Sequence, residues 1–217
     1  MASVQSRAIL QIKGDRLMIN AANHPDEGLT TERVILRAVS ENDASALQAY
    51  YAVNRIHLQP WEPARQESFF NLDAIADRLR TMAHQTATGN AFHLVLFERQ
   101  GSQLIGECNF TNIVRGPFQA CHLGFSLAKV VEGKGLMRES LTVAIQHVFR
   151  NIGLHRIMAN YRPENTRSEH LLASLGFEKE GLARSYLKIN GSWADHVLTS
   201  LVNPDDLAYP VSNSRML

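Results

Sequence analysis

A short loop with two glycines, residues 132–137 with the sequence Glu-Gly-Lys-Gly-Leu-Met, lies between a strand pattern and a helical pattern. The N-terminus of a helix presents unpaired N–H groups and the positive end of the helix dipole, and glycines allow an anion to approach the backbone. The amides from Gly133 to Met137 therefore suit a pyrophosphate group, and Lys134 adds positive charge at the rim. By itself, the loop is equally compatible with a tight turn that only starts a helix.

Two common phosphate-binding motifs fit this loop poorly. A P-loop ends in Gly-Lys-Ser or Gly-Lys-Thr after four spacer residues, and Gly133-Lys134-Gly135 has neither the spacing nor the hydroxyl residue. A dinucleotide-binding fingerprint needs three glycines early in a βαβ unit and an acidic residue on the next strand. Here several strands precede the loop, and the strand expected at residues 156–160 does not supply that pattern. An anion bound here would belong to another class of site.

The elements around the loop predict a mixed α/β domain of the α+β class. A capping box at residues 40–43 opens a helix whose buried face includes Tyr51, and further helices are expected at 72–84, 136–150 and 168–176. Strands are expected at 34–36, 92–97, 104–113, 122–127 and 156–160, followed by a closing hairpin over 177–198 with its turn at Asn190-Gly191. The order β-α-α-β-β-β-α-β-α-β-β predicts a central, largely antiparallel twisted sheet flanked by helices.

Length and composition are those of one globular domain. The chain has 217 residues and a formal net charge of +1, so we expect no broad basic surface for nucleic acid. Cys108 and Cys121 have no metal-ligand spacing, and we expect no metal site. The first residues fit neither a secretory signal nor a membrane span, which predicts a cytoplasmic protein without membrane association. We divide the chain into an N-terminal extension at 1–27, a domain at 28–203 and a C-terminal tail at 204–217.

Several motifs together resemble the GNAT acetyltransferases. They are the glycine loop, the strand end at Asn160, the run Asn165-Thr166-Arg167-Ser168 and the later Leu175-Gly176-Phe177. Longer stretches within 28–203 are similar to the bacterial ribosomal-protein-alanine N-acetyltransferases, in particular the subgroup that acts on the fifth protein of the small subunit. The longer stretches include residues 29–33, 61–63, 110–116, 155–161 and 193–199. The resemblance implies a GNAT fold and an acyltransferase that moves an acetyl group from acetyl-coenzyme A to a primary amine.

The resemblance also implies where coenzyme A lies. The strand ending at Leu127 would splay from the strand at 156–160, and the pantetheine arm would fill the gap. The loop amides would hold the pyrophosphate, and Asn165 and Ser168 would lie beside the thioester. The family motif usually begins with Gln or Arg at the place of Val130, a departure that leaves the backbone contacts unchanged. The expected cofactor-binding residues are Leu127, Lys129, Gly133, Lys134, Gly135, Leu136, Met137, Asn160, Asn165 and Ser168.

The chemistry indicates three candidate catalytic residues. An α-amino group has a pKa of about 8, so roughly a tenth is neutral at pH 7, and a water relay could complete its deprotonation. We expect Ser168 to donate a hydrogen bond to the departing thiolate, and a helix N-cap is the alternative role for this serine. His122 and Glu107, on neighbouring predicted strands, are candidate bases. In related acetyltransferases a glutamate often occupies the place of His122, whose alternative is a packed histidine.

Three further residues are candidates for binding the acceptor. Trp61 lies between two predicted helices, where related enzymes form a substrate wall, and a buried anchor is its alternative. Tyr186 could donate to the thiolate instead of Ser168, and Asp195 could position the amine or hold a loop. The expected partner is a ribosomal protein whose N-terminal alanine is the acceptor, free or within a pre-ribosomal particle. A small-molecule amine as acceptor, and a coenzyme A-binding ribosome-assembly factor, remain the alternative functions.

Overall fold

The computed structural model describes residues 28–101 and 103–207, and the expected N-terminal extension at 1–27 lies outside them. The predicted order of elements is confirmed, with a short first strand and a short last helix added. The strands are β1 (Leu29–Thr30), β2 (Val34–Ala38), β3 (Phe92–Glu98), β4 (Leu104–Val114), β5 (Ala120–Leu127), β6 (Arg156–Tyr161), β7 (Glu178–Ile189) and β8 (Ser192–Val202). The helices are α1 (Ala44–Leu58), α2 (Leu72–Ala87), α3 (Leu136–His147), α4 (Thr166–Ser174) and α5 (Pro204–Leu207).

All these strands form one 8-stranded sheet in the order β1-β2-β3-β4-β5-β6-β8-β7. Neighbouring strands are antiparallel, except β5 and β6, which run parallel. The chain reaches β6 from β5 through α3, as parallel strands require a crossover connection. The expected mixed α/β architecture with a largely antiparallel sheet is therefore confirmed.

The parallel pair β5 and β6 separates partway along its length. Ala120, Cys121 and His122 pair with Arg156, Ile157 and Met158, respectively. Beyond His122, β5 continues to Leu127 with pairing only to β4, and β6 continues to Tyr161 with pairing only to β8. The sheet therefore opens into a gap between the second halves of these strands, where unpaired backbone groups face each other.

Helices cover both faces of the sheet. The odd-numbered residues of β3 and β4 point to the face of α1 and α2, because Tyr51 contacts Glu107 and Gln85 contacts His93. The even-numbered residues point to the face of α3, where the Phe92 ring stacks on His147. A continuous apolar core fills these layers, and its large, fully buried members include Leu36, Leu47, Leu94, Phe110, Leu141 and Ile157.

Most element boundaries differ from the expected ones by a few residues, and two helix boundaries differ for a clear structural reason. The helix expected at 136–150 is α3 followed by a π-helical turn at Val148–Ile152, and Gly153 ends it with φ of +73°. The helix expected to start at Ser168 starts earlier, at Thr166, because Asn165 and not Ser168 caps it. At the C-terminus, Pro204–Leu207 forms α5 where a tail was expected, and the domain limits proposed above stay a prediction.

Candidate active site

The glycine loop connects the end of β5 to the N-terminus of α3, beside the opening of the sheet. Gly133 and Gly135 have φ of +73° and +77°, a conformation that side-chain-bearing residues adopt only with strain. A Cβ built on Gly133 would meet no atom within 4 Å, so the space above this residue is open. Gly135 is the N-cap of α3, and the first N–H groups of the helix follow it. The loop and the gap together can hold a pyrophosphate with an attached extended chain.

Arg33 fastens the glycine loop to the start of the domain. Its NH1 donates to the Lys134 carbonyl at 2.9 Å, and its Nε donates to Glu139 in the first turn of α3 at 2.7 Å. Burial alone would raise the pKa of Glu139, but hydrogen bonds from Thr31 and Arg33 outweigh it and lower this pKa. The carboxylate therefore remains charged, and Arg33 holds the loop in its positive-φ conformation.

Helix α1 fixes the other side of the loop. The Lys129 N–H donates to the buried Asn54 side chain at 3.0 Å, and His57 lies 3.1 Å from Glu132. Arg167 of α4 also pairs with Glu132. Val130, where the family usually has Gln or Arg, is 69% exposed. The turn that precedes the glycines is thus held by two elements that are distant in sequence, α1 and α4.

Asn165 and Ser168 lie at the start of α4, which follows β6. The Asn165 side-chain oxygen accepts from the Ser168 N–H at 3.1 Å, so Asn165 is the N-cap. The alternative role of Ser168 as N-cap is therefore wrong. The Ser168 hydroxyl is not needed to cap the helix. Asn160, on β6, donates to the Tyr186 hydroxyl at 3.4 Å, which brings one expected cofactor residue to one expected acceptor residue.

Glu107 lies at the centre of a buried cluster on the face of α1 and α2. It is 7% exposed, and the Tyr51 hydroxyl donates to its Oε1 at 2.7 Å. Burial raises the pKa of Glu107, against the opposing effects of hydrogen bonds from Tyr51 and Asn109 and of nearby guanidinium groups. Burial also raises the pKa of Tyr51, which remains a proton donor to the carboxylate. A carboxyl with a raised pKa can take a proton near neutral pH.

His122 and Glu107 share one face of the sheet but lie at different levels. Glu107 is opposite Ser126 in the register of β4 and β5, whereas His122 is opposite Thr111 and belongs to the last pair between β5 and β6 before the gap. The His122 Nδ1 is buried without a hydrogen-bond partner among the described residues, and burial lowers the pKa of this side chain. Neutral His122 can therefore accept a proton, but no side chain orients it.

A cavity of about 90 Å³ lies next to the Glu107 cluster. Tyr51 forms part of its wall, and Glu62 and Arg65 line it from the segment after α1. Burial raises the pKa of Glu62, and the negative charge of Glu107 raises it further. The backbone of Glu62 is tied to the tip of the β7–β8 hairpin, because the Asn190 N–H donates to its carbonyl at 2.9 Å. Glu62 is the carboxyl that lines this cavity, and the guanidinium groups of Arg55 and Arg65 line it too, so the lining carries charges of both signs.

The residues expected to bind the acceptor lie in different surroundings. Trp61 precedes Glu62, is 38% exposed, and faces the Arg162 guanidinium at 5.9 Å. Asp195 accepts from the Ser185 N–H at 2.8 Å and so holds an irregularity of β7, where Ser185 has φ of +47°. This contact is the loop-holding role considered above. No group of at least three His, Cys, Asp or Glu side chains that could hold a metal occurs within 28–101 and 103–207.

Several residues of the site were not predicted. Arg33, Glu62 and Asn109 had no expected role, and Tyr51 was expected only as an apolar contact. Their roles depend on contacts between distant elements. Arg33 and Glu62 lie in stretches that carry the family resemblance, residues 29–33 and 61–63, without a role having been given to either. In the part of the chain that the structure describes, no helix is long and apolar enough to cross a membrane.

Comparison with known proteins identifies the family. The Acetyltransferase (GNAT) domain model matches residues 33–178. The [Ribosomal protein uS5]-alanine N-acetyltransferase of Escherichia coli (strain K12) is 50% identical over 184 residues, which cover 85% of this chain and 95% of that protein. A probable N-acetyltransferase of Bacillus subtilis, YjcK, is 30% identical over 178 residues, which cover 82% of this chain and 98% of that protein.

Solved structures give the same result. The ribosomal-protein-S5-alanine acetyltransferase of Vibrio fischeri superposes with a TM-score of 0.79 and 41% identity, covering 82% of this chain and 97% of that one. The Mycobacterium smegmatis RimJ in complex with CoA-disulfide gives a TM-score of 0.75 and 28% identity, covering 85% and 86% of the two chains. The chain is an acetyltransferase and belongs to the GNAT family.

Proposed function

We propose that this acetyltransferase uses acetyl-coenzyme A to acetylate the N-terminal alanine of a ribosomal protein. The observation that carries the proposal is the 50% identity to the Escherichia coli enzyme over 95% of its length. The acceptor is an exposed chain end, so it could be presented on a free protein or on a pre-ribosomal particle in the cytoplasm. Both presentations leave the N-terminal amine accessible.

The residues of the cleft fit coenzyme A. The amides from Gly133 to Met137 would hold the pyrophosphate, and the free edges of β5 and β6 would pair with the pantetheine arm. Leu127 and Lys129 border the gap on one side, and Asn160 borders it on the other. When bound, acetyl-coenzyme A supplies a thioester whose carbonyl carbon the acceptor amine attacks. The open space above Gly133 is the structural observation that supports this fit.

We assign the proton-accepting role to Glu107. Its pKa is raised by burial, and its position is fixed by Tyr51, which lines the cavity that we assign to the acceptor amine. His122 is the second candidate, since it is neutral and next to the gap. Ser168 has a hydroxyl that helix capping does not require, and we assign it to the departing thiolate. Glu107 therefore acts at the nitrogen, and Ser168 acts at the sulfur.

The acceptor would enter beside Trp61. The cavity next to the Glu107 cluster has room for a small first side chain, and Glu62 and Glu107 would attract the α-ammonium group. We assign Tyr186 and Asp195, on the β7–β8 hairpin, to the outer end of the acceptor cleft. A cleft of this size suits alanine better than a bulky N-terminal residue.

The same two carboxyls also favour a second acceptor, a polyamine. The spermidine N(1)-acetyltransferase of Vibrio cholerae is 26% identical over 147 residues.

The test uses purified protein, acetyl-coenzyme A and three acceptors, namely an Ala-starting ribosomal peptide, the same peptide starting with Val, and spermidine. We expect rapid acetylation of the first alone. Preference for spermidine would replace the proposed acceptor, and coenzyme A binding without any transfer would favour a role in ribosome assembly.

A further inference from the structure

A row of polar side chains runs from Glu107 along one face of the sheet to the surface of α2. Asn109 lies two positions from Glu107 on the same face of β4 and acts to lower the pKa of its carboxyl, and the Asn109 side-chain oxygen lies 2.8 Å from His93 Nδ1. His93 Nε2 in turn lies 3.0 Å from the side-chain oxygen of Gln85, an exposed residue of α2. His93 itself is only 5% exposed. Each buried polar group of this row therefore has a partner.

The sheet register aligns these residues. Glu107 and Asn109 are two positions apart on β4, so their side chains share a face, and His93 on β3 is directly opposite Asn109. The neighbouring residue on the same face of β3, Val95, is fully buried and apolar. A histidine in such surroundings costs free energy unless it is hydrogen-bonded. The register thus buries a histidine whose burial costs free energy, and it places this histidine where it can influence Glu107 through Asn109.

The protonation of His93 decides how Asn109 points. Burial lowers the pKa of His93, so the ring is neutral near pH 7 and has one N–H. If Nδ1 carries the proton, it donates to the Asn109 oxygen, and the Asn109 NH₂ then faces Glu107. If Nε2 carries the proton, Nδ1 must accept from the Asn109 NH₂, and the Asn109 oxygen faces Glu107. A carboxylate tolerates only the first arrangement, because two acceptors repel each other.

We propose that His93 is a positioning residue that, as the Nδ1–H tautomer, turns the Asn109 NH₂ toward Glu107 and so keeps this carboxyl ionised and aimed at the acceptor amine. The inference rests on the proposed function, in which Glu107 accepts the proton. Gln85 completes this row of hydrogen bonds when its amide is rotated by half a turn, so that its NH₂ takes the place of the oxygen and donates to His93 Nε2. Gln85, at the exposed end of this row of side chains, therefore favours the tautomer of the buried His93 that carries its proton on Nδ1.

Other groups also face Glu107 and contribute to its ionisation. Tyr51 on α1 donates to the carboxylate, and the positive charge of Arg78 on α2 favours the ionised form. After α1, the positive charge of Arg65 has the same effect, while Glu62 repels the carboxylate. None of these groups touches the His93 ring. Their contributions therefore stay constant when only His93 is changed.

The test compares two substitutions of His93 in the full chain. His93→Leu keeps a similar volume but removes the donor, whereas His93→Asn places an NH₂ near the position of Nδ1. For His93→Leu we expect the acid limb of the kcat/KM profile to move up by about one pH unit, with about a tenfold loss of kcat/KM on that limb. His93→Asn should restore most of this loss. The KM for acetyl-coenzyme A should be unchanged in both.

The matched control is His147→Leu. His147 is a half-buried histidine that also has a lowered pKa, but its ring stacks on Phe92 at 5.0 Å on the opposite face of the sheet from Glu107. This control should lower the melting temperature as His93→Leu does and leave the pH profile in place. An equal shift of the profile in both variants would mean that His93 acts only through stability, and would overturn the inference.

A second measurement does not depend on activity. Long-range ¹H–¹⁵N NMR of the parent protein distinguishes the two neutral histidine tautomers, and we expect His93 as Nδ1–H. A Nε2–H tautomer at pH 7 would also overturn the inference. If the parent instead fails to acetylate any N-terminal peptide while His93 is Nδ1–H, the proposed function fails and the structural assignment of His93 stands.

Discussion

Arg33 and Glu139 lie 106 positions apart in the chain, yet the backbone N–H and the Nε of Arg33 both donate to the Glu139 carboxylate, at 2.9 and 2.7 Å. A third donor, NH1, reaches the Lys134 carbonyl inside the glycine loop. The first strand pair is thus attached to the N-terminus of α3, where the pyrophosphate is proposed to bind. The contact orders the loop before any ligand arrives.

Replacing Arg33 tests this ordering role. We expect Arg33→Ala to raise the Kd for coenzyme A about tenfold, equivalent to about 1.4 kcal/mol, because a loosened loop must be ordered on binding. Titration calorimetry measures this change. The matched control is Arg99→Ala, since Arg99 donates to the Thr31 carbonyl in the same turn at 2.9 Å without touching the loop. Equal losses in both variants would indicate a general effect on the turn.

Asn165 and Ser168 should separate stability from catalysis. Asn165→Ala removes the N-cap of α4, and we expect a loss of about 1 kcal/mol in the free energy of unfolding. Ser168→Ala should leave that free energy nearly unchanged and lower kcat roughly tenfold or more, because its hydroxyl is assigned to the thiolate. Urea unfolding and steady-state kinetics provide the two readouts. A large stability loss in Ser168→Ala with normal kcat would contradict this division.

Glu107→Gln should change activity and stability in opposite directions. We expect kcat/KM to fall about a hundredfold and the acid limb of its pH profile to disappear. The pKa of Glu107 is raised in the folded state, so its contribution to stability is full below its ordinary pKa and is lost as pH rises through the raised value. The variant should therefore melt at a higher temperature than the parent at pH 8, with the difference vanishing at acidic pH.

Thermal unfolding across pH measures the second half of this prediction. Glu67→Gln is its control, because this exposed carboxyl has a lowered pKa through Arg55 and should show no gain at pH 8. A lower melting temperature for Glu107→Gln at pH 8 would mean that the carboxylate is more stable in the fold than the neutral group. Glu107 would then be a structural anion.

Two tryptophans allow a test of the acceptor cleft. Trp61 lies next to the cavity with Glu62, and we expect Trp61→Ala to raise the KM for the Ala-starting peptide roughly tenfold through lost apolar contact. Trp193, on β8, is 65% exposed and serves as the control. Neither change should alter the KM for acetyl-coenzyme A. A rise confined to acetyl-coenzyme A would place Trp61 at the cofactor.

The features that the sequence predicted are local ones. The glycine loop was predictable, since strand, glycine and helix signals follow each other within a few residues. The hairpin turn at Asn190-Gly191 was predictable for the same reason. The start of α4 was placed too late, because Asn165 and Ser168 are both good N-cap residues and only the backbone geometry distinguishes them.

The rest of the site depends on contacts that local patterns do not contain. Arg33 reads as an ordinary charged turn residue, and its role appears only when α3 lies beside it. Tyr51 was expected as an inward residue, and it is, but the phenol also needs a buried acceptor, which Glu107 supplies from 56 positions away. Asn109 and His93 follow from the register of β3 and β4, which no single segment determines.

The separation of β5 from β6 divides the sheet into two parts, which are joined only where Ala120, Cys121 and His122 pair with β6. Unpaired strand edges usually invite another chain, and here they lie inside the domain. A ligand bound between the two parts of the sheet completes the hydrogen bonding of the free strand edges as an extra strand would. Its binding free energy then adds directly to the stability of the fold, by about 2.7 kcal/mol at a concentration of 100 times Kd. Acetyl-coenzyme A would therefore complete the sheet when bound and leave its two strand edges unpaired when released.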